Sequence, residues 1–342
     1  MPASSTPPPL HAPLAVATRA GAIESTHYGA VAVTDCAGRV LYSAGDPQQV
    51  VFARSALKPL QALPFVAGGG IERFGFSPAQ TALLCASHSG EPRHVAAVED
   101  MLARAGVTPA ELQCGTHAPG FYEARGEVPP PPPYSPLQHN CSGKHSGMLA
   151  YCVQCGHARE SYLEPEHPLQ QEIRRAVAEM SGVCDADLVR GVDGCSAPNF
   201  ALPLASLARA YARLAADASD PVYGNAPRAL AGAMTRHPEM VSGERRGDLA
   251  LMQAGRGDWV AKVGAEGVQA LGVRSAGLGI AVKVADGQKR ALYPALIAVL
   301  DALGLIDAQA RDTLAGWGHP AIANYRGIVT GDVHSVLVLD KH

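Results

Sequence analysis

Short apolar runs rich in β-branched residues occupy both ends of the chain, and longer runs with helical spacing fill its middle. Residues 15–18, 29–34 and 39–42 read as strands, with Cys36-Ala37-Gly38 as a tight turn. Residues 56–66 follow with helical spacing. Pro59 is tolerable there only inside the first turn, where a missing amide hydrogen costs little. A second helix over 79–86 runs into the small polar stretch Ser87-His88-Ser89-Gly90-Glu91, and a third covers 94–105. Helices are predicted again at 147–155, 168–180, 199–216 and 226–235. Strand character returns at 258–262, 268–273, 279–285 and 333–339, interrupted by a helix over 290–303, with turns at Ala276-Gly277 and Asp286-Gly287. Strands at both ends around helices predict an α/β (α+β) fold, one antiparallel sheet built from both termini with a largely helical middle. The expected organisation is a disordered tail at 1–13, a sheet-containing core from 14–75 plus 255–342, and a mainly helical region at 76–254 that carries the polar loops.

Composition narrows the partners. The chain has 342 residues, 47% of them apolar, enough for a large core. Only 17% are charged and the formal net charge is -3, so neither nucleic acid nor an anionic membrane is an expected partner. The apolar runs fall short of membrane-spanning length, and residues 1–13 lack the basic-then-apolar build of a secretion signal, so a cytoplasmic protein is expected. Its eight cysteines would then be reduced, most of them packing groups. Cys152 and Cys155 have zinc-like spacing without a second pair, which favours a structural role on a helix.

Candidate chemistry begins at Arg54-Ser55-Ala56-Leu57-Lys58-Pro59. Residues three apart share a helical face, so Ser55 and Lys58 can form a nucleophile beside its base. Alone, Ser-x-x-Lys is a common accident, and a helix cap beside a solvated lysine is much the stronger reading of it. The five consecutive prolines from Pro129 to Pro133 read as an extended surface segment leading into His139-Asn140-Cys141-Ser142-Gly143-Lys144-His145-Ser146-Gly147, a polar run read as a functional loop. Ser-x-x-Lys, a later polar serine (Ser87 or Ser89) and Lys262-Val263-Gly264 on a strand match the general pattern of the serine acyl-enzymes of the penicillin-binding and β-lactamase superfamily. In that geometry the backbone amides of Ser55 and Ala265 would form an oxyanion hole.

With these blocks in view, together with Asp193-Gly194-Cys195-Ser196-Ala197-Pro198 and Gly264-Ala265-Glu266-Gly267, the chain resembles the rhizobial-type (class 3) asparaginases, the asparaginase II-like family. The resemblance implies hydrolysis of L-asparagine to L-aspartate and ammonia through two serine–lysine pairs, Ser55 with Lys58 and Ser87 with Lys262. It implies a Zn2+ ion held by Cys141, Lys144 and Cys195 with a water, flanked by His145 and Asp193, a serine β-lactamase-like fold and a homodimer. Arg54 would bind the substrate carboxylate or lie on the surface, and His88 and Asn140 stand as further substrate-binding candidates. Two other readings compete: an amidohydrolase in which zinc-bound water does the work, and a non-catalytic small-molecule binding protein on the same fold.

Overall fold

A computed structural model describes residues 10–342. The strands are β1 (Ala12–Arg19), β2 (Ala22–Asp35), β3 (Val40–Ala44), β4 (Val50–Phe52), β5 (Val189–Val192), β6 (Pro198–Pro203), β7 (Trp259–Gly264), β8 (Val268–Val273), β9 (Leu278–Val284), β10 (Ala321–Ala323), β11 (Val329–Ser335) and β12 (Asp340–Lys341). The main sheet runs β10-β11-β1-β2-β9-β8-β7, with β3 on β2 and β12 on β3. Its pairings are antiparallel, so the two ends of the chain interleave around β2 and β9 in the α/β arrangement expected from the sequence. A small sheet, β4-β6-β5, stands apart.

The tail assigned to residues 1–13 ends earlier than expected: Ala12 and Pro13 already belong to β1, and the part before Leu10 lies outside the described residues. Ala30, Val31, Ala32 and Val33 are fully buried, because helices cover both faces of the sheet. Helix Leu204–Ala215 packs on β2, β8 and β9, and helix Lys289–Ala302 on β1, β9 and β11. Strands enclosed in this way read as continuous apolar runs rather than alternating ones.

The helix that matters most is Lys58–Ala67, buried almost all round by helices Ser142–Cys155, Pro168–Ser181 and Ala226–Arg236. Its residues Leu60 and Leu63 are completely enclosed, each worth about 1.5–3 kcal/mol of burial. Pro59 does fall in its opening turn, after a 3-10 turn spanning Arg54–Leu57. That sequence of turn and helix carries Ser55 from β4 into the centre of the molecule.

Several boundaries moved. The polar run 139–147 is a loop only as far as Cys141; from Ser142 onward it forms the opening turns of helix Ser142–Cys155. Two glycines and two serines make a poor helix in isolation, but Gly143 lets this one pack closely. A Cβ there would stand 2.4 Å from the Leu83 carbonyl oxygen. Residues 199–203, predicted to open a helix, are strand β6; the helix starts at Leu204, immediately after Pro203. Helices Gly120–Arg125, Gly247–Gly255 and Ala308–Gly318 were not foreseen. None of the helices among the described residues is long and apolar enough to cross a membrane.

Candidate active site

Two serines meet at one cavity. Ser55, on the 3-10 turn, and Ser87, in the segment after helix Pro78–Leu83, both line a cavity of about 590 Å³. Its floor includes Val263, Gly264 and Ala265 at the end of β7, and Asn140. Gly264 is needed for this approach: a Cβ would lie 2.5 Å from the Ala53 carbonyl oxygen, and β7 could not run beside the Ser55 turn. The walls carry Tyr293 and Trp317, packed edge-to-face at 4.8 Å, and four cationic residues, Arg245, Arg246, Lys289 and Arg290. Such a rim favours a substrate bearing a carboxylate.

Lys58 is buried, and its Nζ donates to Ser87 Oγ at 2.9 Å and to the Ala86 carbonyl at 2.6 Å. The pairing thus differs from the one implied by the resemblance. Lys58 hydrogen-bonds the second serine, and Lys262 bonds Asp248 Oδ2 at 3.3 Å and the Val263 carbonyl at 2.8 Å. Val263 lines the cavity, and Lys262, its neighbour on β7, does not. Lys262 is completely enclosed, and burial, reinforced by the Lys58 charge, brings its pKa down to about 8 despite Asp248. Asp248 is itself held by the Val263 N–H and Gln269 Nε2, both at 3.0 Å.

The turn presenting Ser55 is strained. Arg54 has φ 52, a left-handed conformation that costs a non-glycine residue on the order of 1–3 kcal/mol. Asn199 on β6 holds it: Oδ1 accepts from the Arg54 N–H and Nδ2 donates to the Arg54 carbonyl, each at 3.1 Å. Arg54 Nε donates to Asp193 Oδ1 at 2.8 Å. Arg54, expected at the substrate or the surface, and Asp193, expected beside the zinc, are thus each other's partners. Arg54 lines a different cavity, with Asn199, Glu266 and Lys283, so its guanidinium braces the turn instead of the ligand.

A second polar cluster is closed to solvent. Cys141, Lys144, His145 and Cys195 are all buried. Lys144 Nζ donates to Cys195 Sγ at 3.1 Å. The Cys141 thiol, joined by Lys144 and His145, holds Cys195 far below the ordinary thiol range, as a thiolate. The same bond, with burial, pushes Cys141 well up. Burial opposes the Lys144 charge, but Cys195 and Cys141 outweigh it and raise the amine. His145 Nδ1 bonds the Tyr162 hydroxyl at 2.7 Å, while its Nε2 makes no hydrogen bond of normal geometry and stands close enough to Cys195 to act on the thiolate.

A family model for L-asparaginase II matches residues 15–335, nearly the whole chain and all of the site just described. The chain belongs to the L-asparaginase II family. Membership supports an L-asparaginase activity, hydrolysis of an amide, at the level of the family. No curated protein matches the sequence. Among solved structures, a beta-lactamase from Mycobacterium bovis aligns at 16% identity over 85% of this chain and 95% of its own, with a TM-score of 0.42. A structure of Mglu aligns at 15% identity over 81% and 67%, with a TM-score of 0.44.

Within this L-asparaginase II chain, Ser55, Ser87, Asn140 and Ala265 share the cavity, and Lys58 reaches it through Ser87. Ser89, the alternative second serine, donates instead to Glu91 Oε1 at 2.7 Å. His88 is saturated: Nδ1 accepts from the Gly90 N–H at 3.1 Å and Nε2 bonds Ser142 Oγ at 2.9 Å. Burial and neighbouring positive groups hold it neutral, well below the usual histidine range, as a brace between two segments. Sequence reasoning missed Asn199, Asp248, Arg246 and Tyr293. Gly243-Glu244-Arg245-Arg246, a charged knot in a weakly charged chain, was the one signal available for the cationic rim.

Proposed function

We propose that this protein is an L-asparaginase using Ser55 as nucleophile. The observation that carries the reading is the convergence of Ser55, Ser87 and the Ala265 backbone on one cation-rimmed cavity, with Lys58 hydrogen-bonded to Ser87. The substrate carboxylate is held by the cationic rim, leaving the side-chain amide at the serines. Ser55 Oγ attacks the amide carbon while its proton passes through the Ser87 hydroxyl towards Lys58 Nζ. The backbone amides of Ser55 and Ala265 face the developing oxyanion. The C–N bond then breaks, the nitrogen takes a proton and leaves as ammonia. Water attacks the resulting ester, giving L-aspartate and free Ser55. Lys262, with its depressed pKa, is the second amine suited to proton transfer near neutral pH.

Zinc is part of the proposal as a neighbour of this chemistry. The donors suit it: two sulfurs and an amine, with a buried imidazole nitrogen beside them that makes no hydrogen bond of normal geometry. Cys141, Lys144 and Cys195 would hold the ion, with His145 beside it. When bound it would supply a fixed positive charge behind the Asn140 loop. Cytoplasmic location and a homodimer complete the proposal.

The deciding experiment is ammonia release from L-asparagine by the wild type and by Ser55→Ala. Release by the wild type and near-complete loss in the variant support the serine. Substantial turnover retained by Ser55→Ala overturns it, and no release by the wild type overturns the activity itself.

A further inference from the structure

At the edge of the main sheet remote from β7, strand β11 carries Asp332 and His334 two residues apart, and therefore on one face. Helix Ala308–Gly318 ends against them. Its C-cap is His319, after which the chain turns into β10, where Ala321 pairs with Asp332. The turn is fixed by the Val333 N–H donating to the Pro320 carbonyl at 2.9 Å. His319 Nε2 consequently meets Asp332 Oδ2, and His334 Nδ1 lies 3.3 Å from Oδ1. One ligand atom from each of the three lies within 4.8 Å of the others. Thr18 Oγ1 on β1 donates to Asp332 Oδ1, orienting the carboxylate from behind. The three residues line a surface cavity of about 500 Å³, so a ligand can reach them.

We propose that His319, Asp332 and His334 form a second metal site, for a divalent transition cation of the zinc type, independent of the cysteine cluster and of the reaction. Two imidazoles and one carboxylate on one side leave the remaining coordination positions to water, a set that suits such cations better than calcium or magnesium. The Thr18 hydroxyl plays the part of an outer-shell partner holding the ligating carboxylate. One ion would tie the end of helix Ala308–Gly318 to β11, with β1 joined through Thr18.

The test uses the full chain stripped with chelator and titrated with Zn2+ by calorimetry, alongside Tm measurements at rising Zn2+. In a Cys141→Ser/Cys195→Ser background, the protein is expected to bind one equivalent, and adding His319→Ala/His334→Ala is expected to abolish it with the metal-free circular dichroism spectrum unchanged. Should the combined variant fail to fold, His319→Ala alone, whose side chain is 59% exposed, serves: its binding is expected to weaken by at least ~10-fold. An unchanged equivalent after loss of the histidines, unchanged affinity in His319→Ala, or no zinc bound once the cysteines are replaced overturns the proposal.

Discussion

Two lysines, Lys262 and Lys144, are buried to nearly the same degree, and their charges are pushed in opposite directions. Around Lys262 the one carboxylate, Asp248, is shared with a backbone N–H and a glutamine amide, and Lys58 adds a like charge, so burial wins and the amine loosens its proton. Around Lys144 two sulfurs and the Asp193 carboxylate together outweigh burial, and the proton is retained. The first environment suits proton transfer. The second stores charge, and in the zinc site proposed above it would ligate only once protons leave Lys144 and Cys141. What separates the two lysines is how much opposing charge surrounds each.

This contrast can be broken most sharply at the serines. Ser55→Ala is expected to lower kcat by at least ~10³-fold, with Lys58→Met and Ser87→Ala losing ~10²–10⁴-fold, as measured by ammonia release. A mild effect at Lys58 would dissolve the distinction between the two clusters. Cys195→Ser is expected to weaken zinc retention by ~10–100-fold or more on dialysis, while costing less activity than Ser55→Ala. Equal losses would move catalysis to the closed cluster. Zinc uptake should also strengthen as pH rises, because Lys144 and Cys141 must each release a proton. Asn199→Ala is expected to destabilise the fold by about 1–3 kcal/mol in denaturant melts and to lower kcat more than it raises KM, since the Ser55 turn loses both its clamps. The smallest effect is in the pH profile. If catalysis needs Lys262 uncharged, kcat/KM should rise as pH passes upward through about 8, the amine being free above that value. A profile that is flat or falling there would remove Lys262 from the chemistry.

Much of the fold was legible because its short apolar runs and helical patterns are local. The interleaved sheet follows from residues 29–34 and 279–285, whose buried β-branched runs could hardly be anything else. The opening of helix Ser142–Cys155 was hidden, because its glycines and serines oppose helix formation and only contact with Leu83 compensates. Residues 199–203 were misread as helix for the opposite reason: Phe200, Ala201 and Leu202 fit either pattern, and pairing with β4 and β5 decided it. Of the site, the serine and lysine types were readable from their blocks, and their partners were not. That Lys58 bonds Ser87, that Lys262 answers to Asp248, and that Arg54 answers to Asp193 are facts of tertiary placement.

The unusual backbone at Arg54 is imposed by a carboxamide that arrives 145 residues later in the chain, and the floor of the cavity arrives later still with β7. A nascent polypeptide therefore carries Ser55 for most of synthesis without the groups that hold its turn. Competence to cleave amides must emerge abruptly, near completion of the sheet, and amino-terminal fragments ending before β6 should be inert however well their helices form.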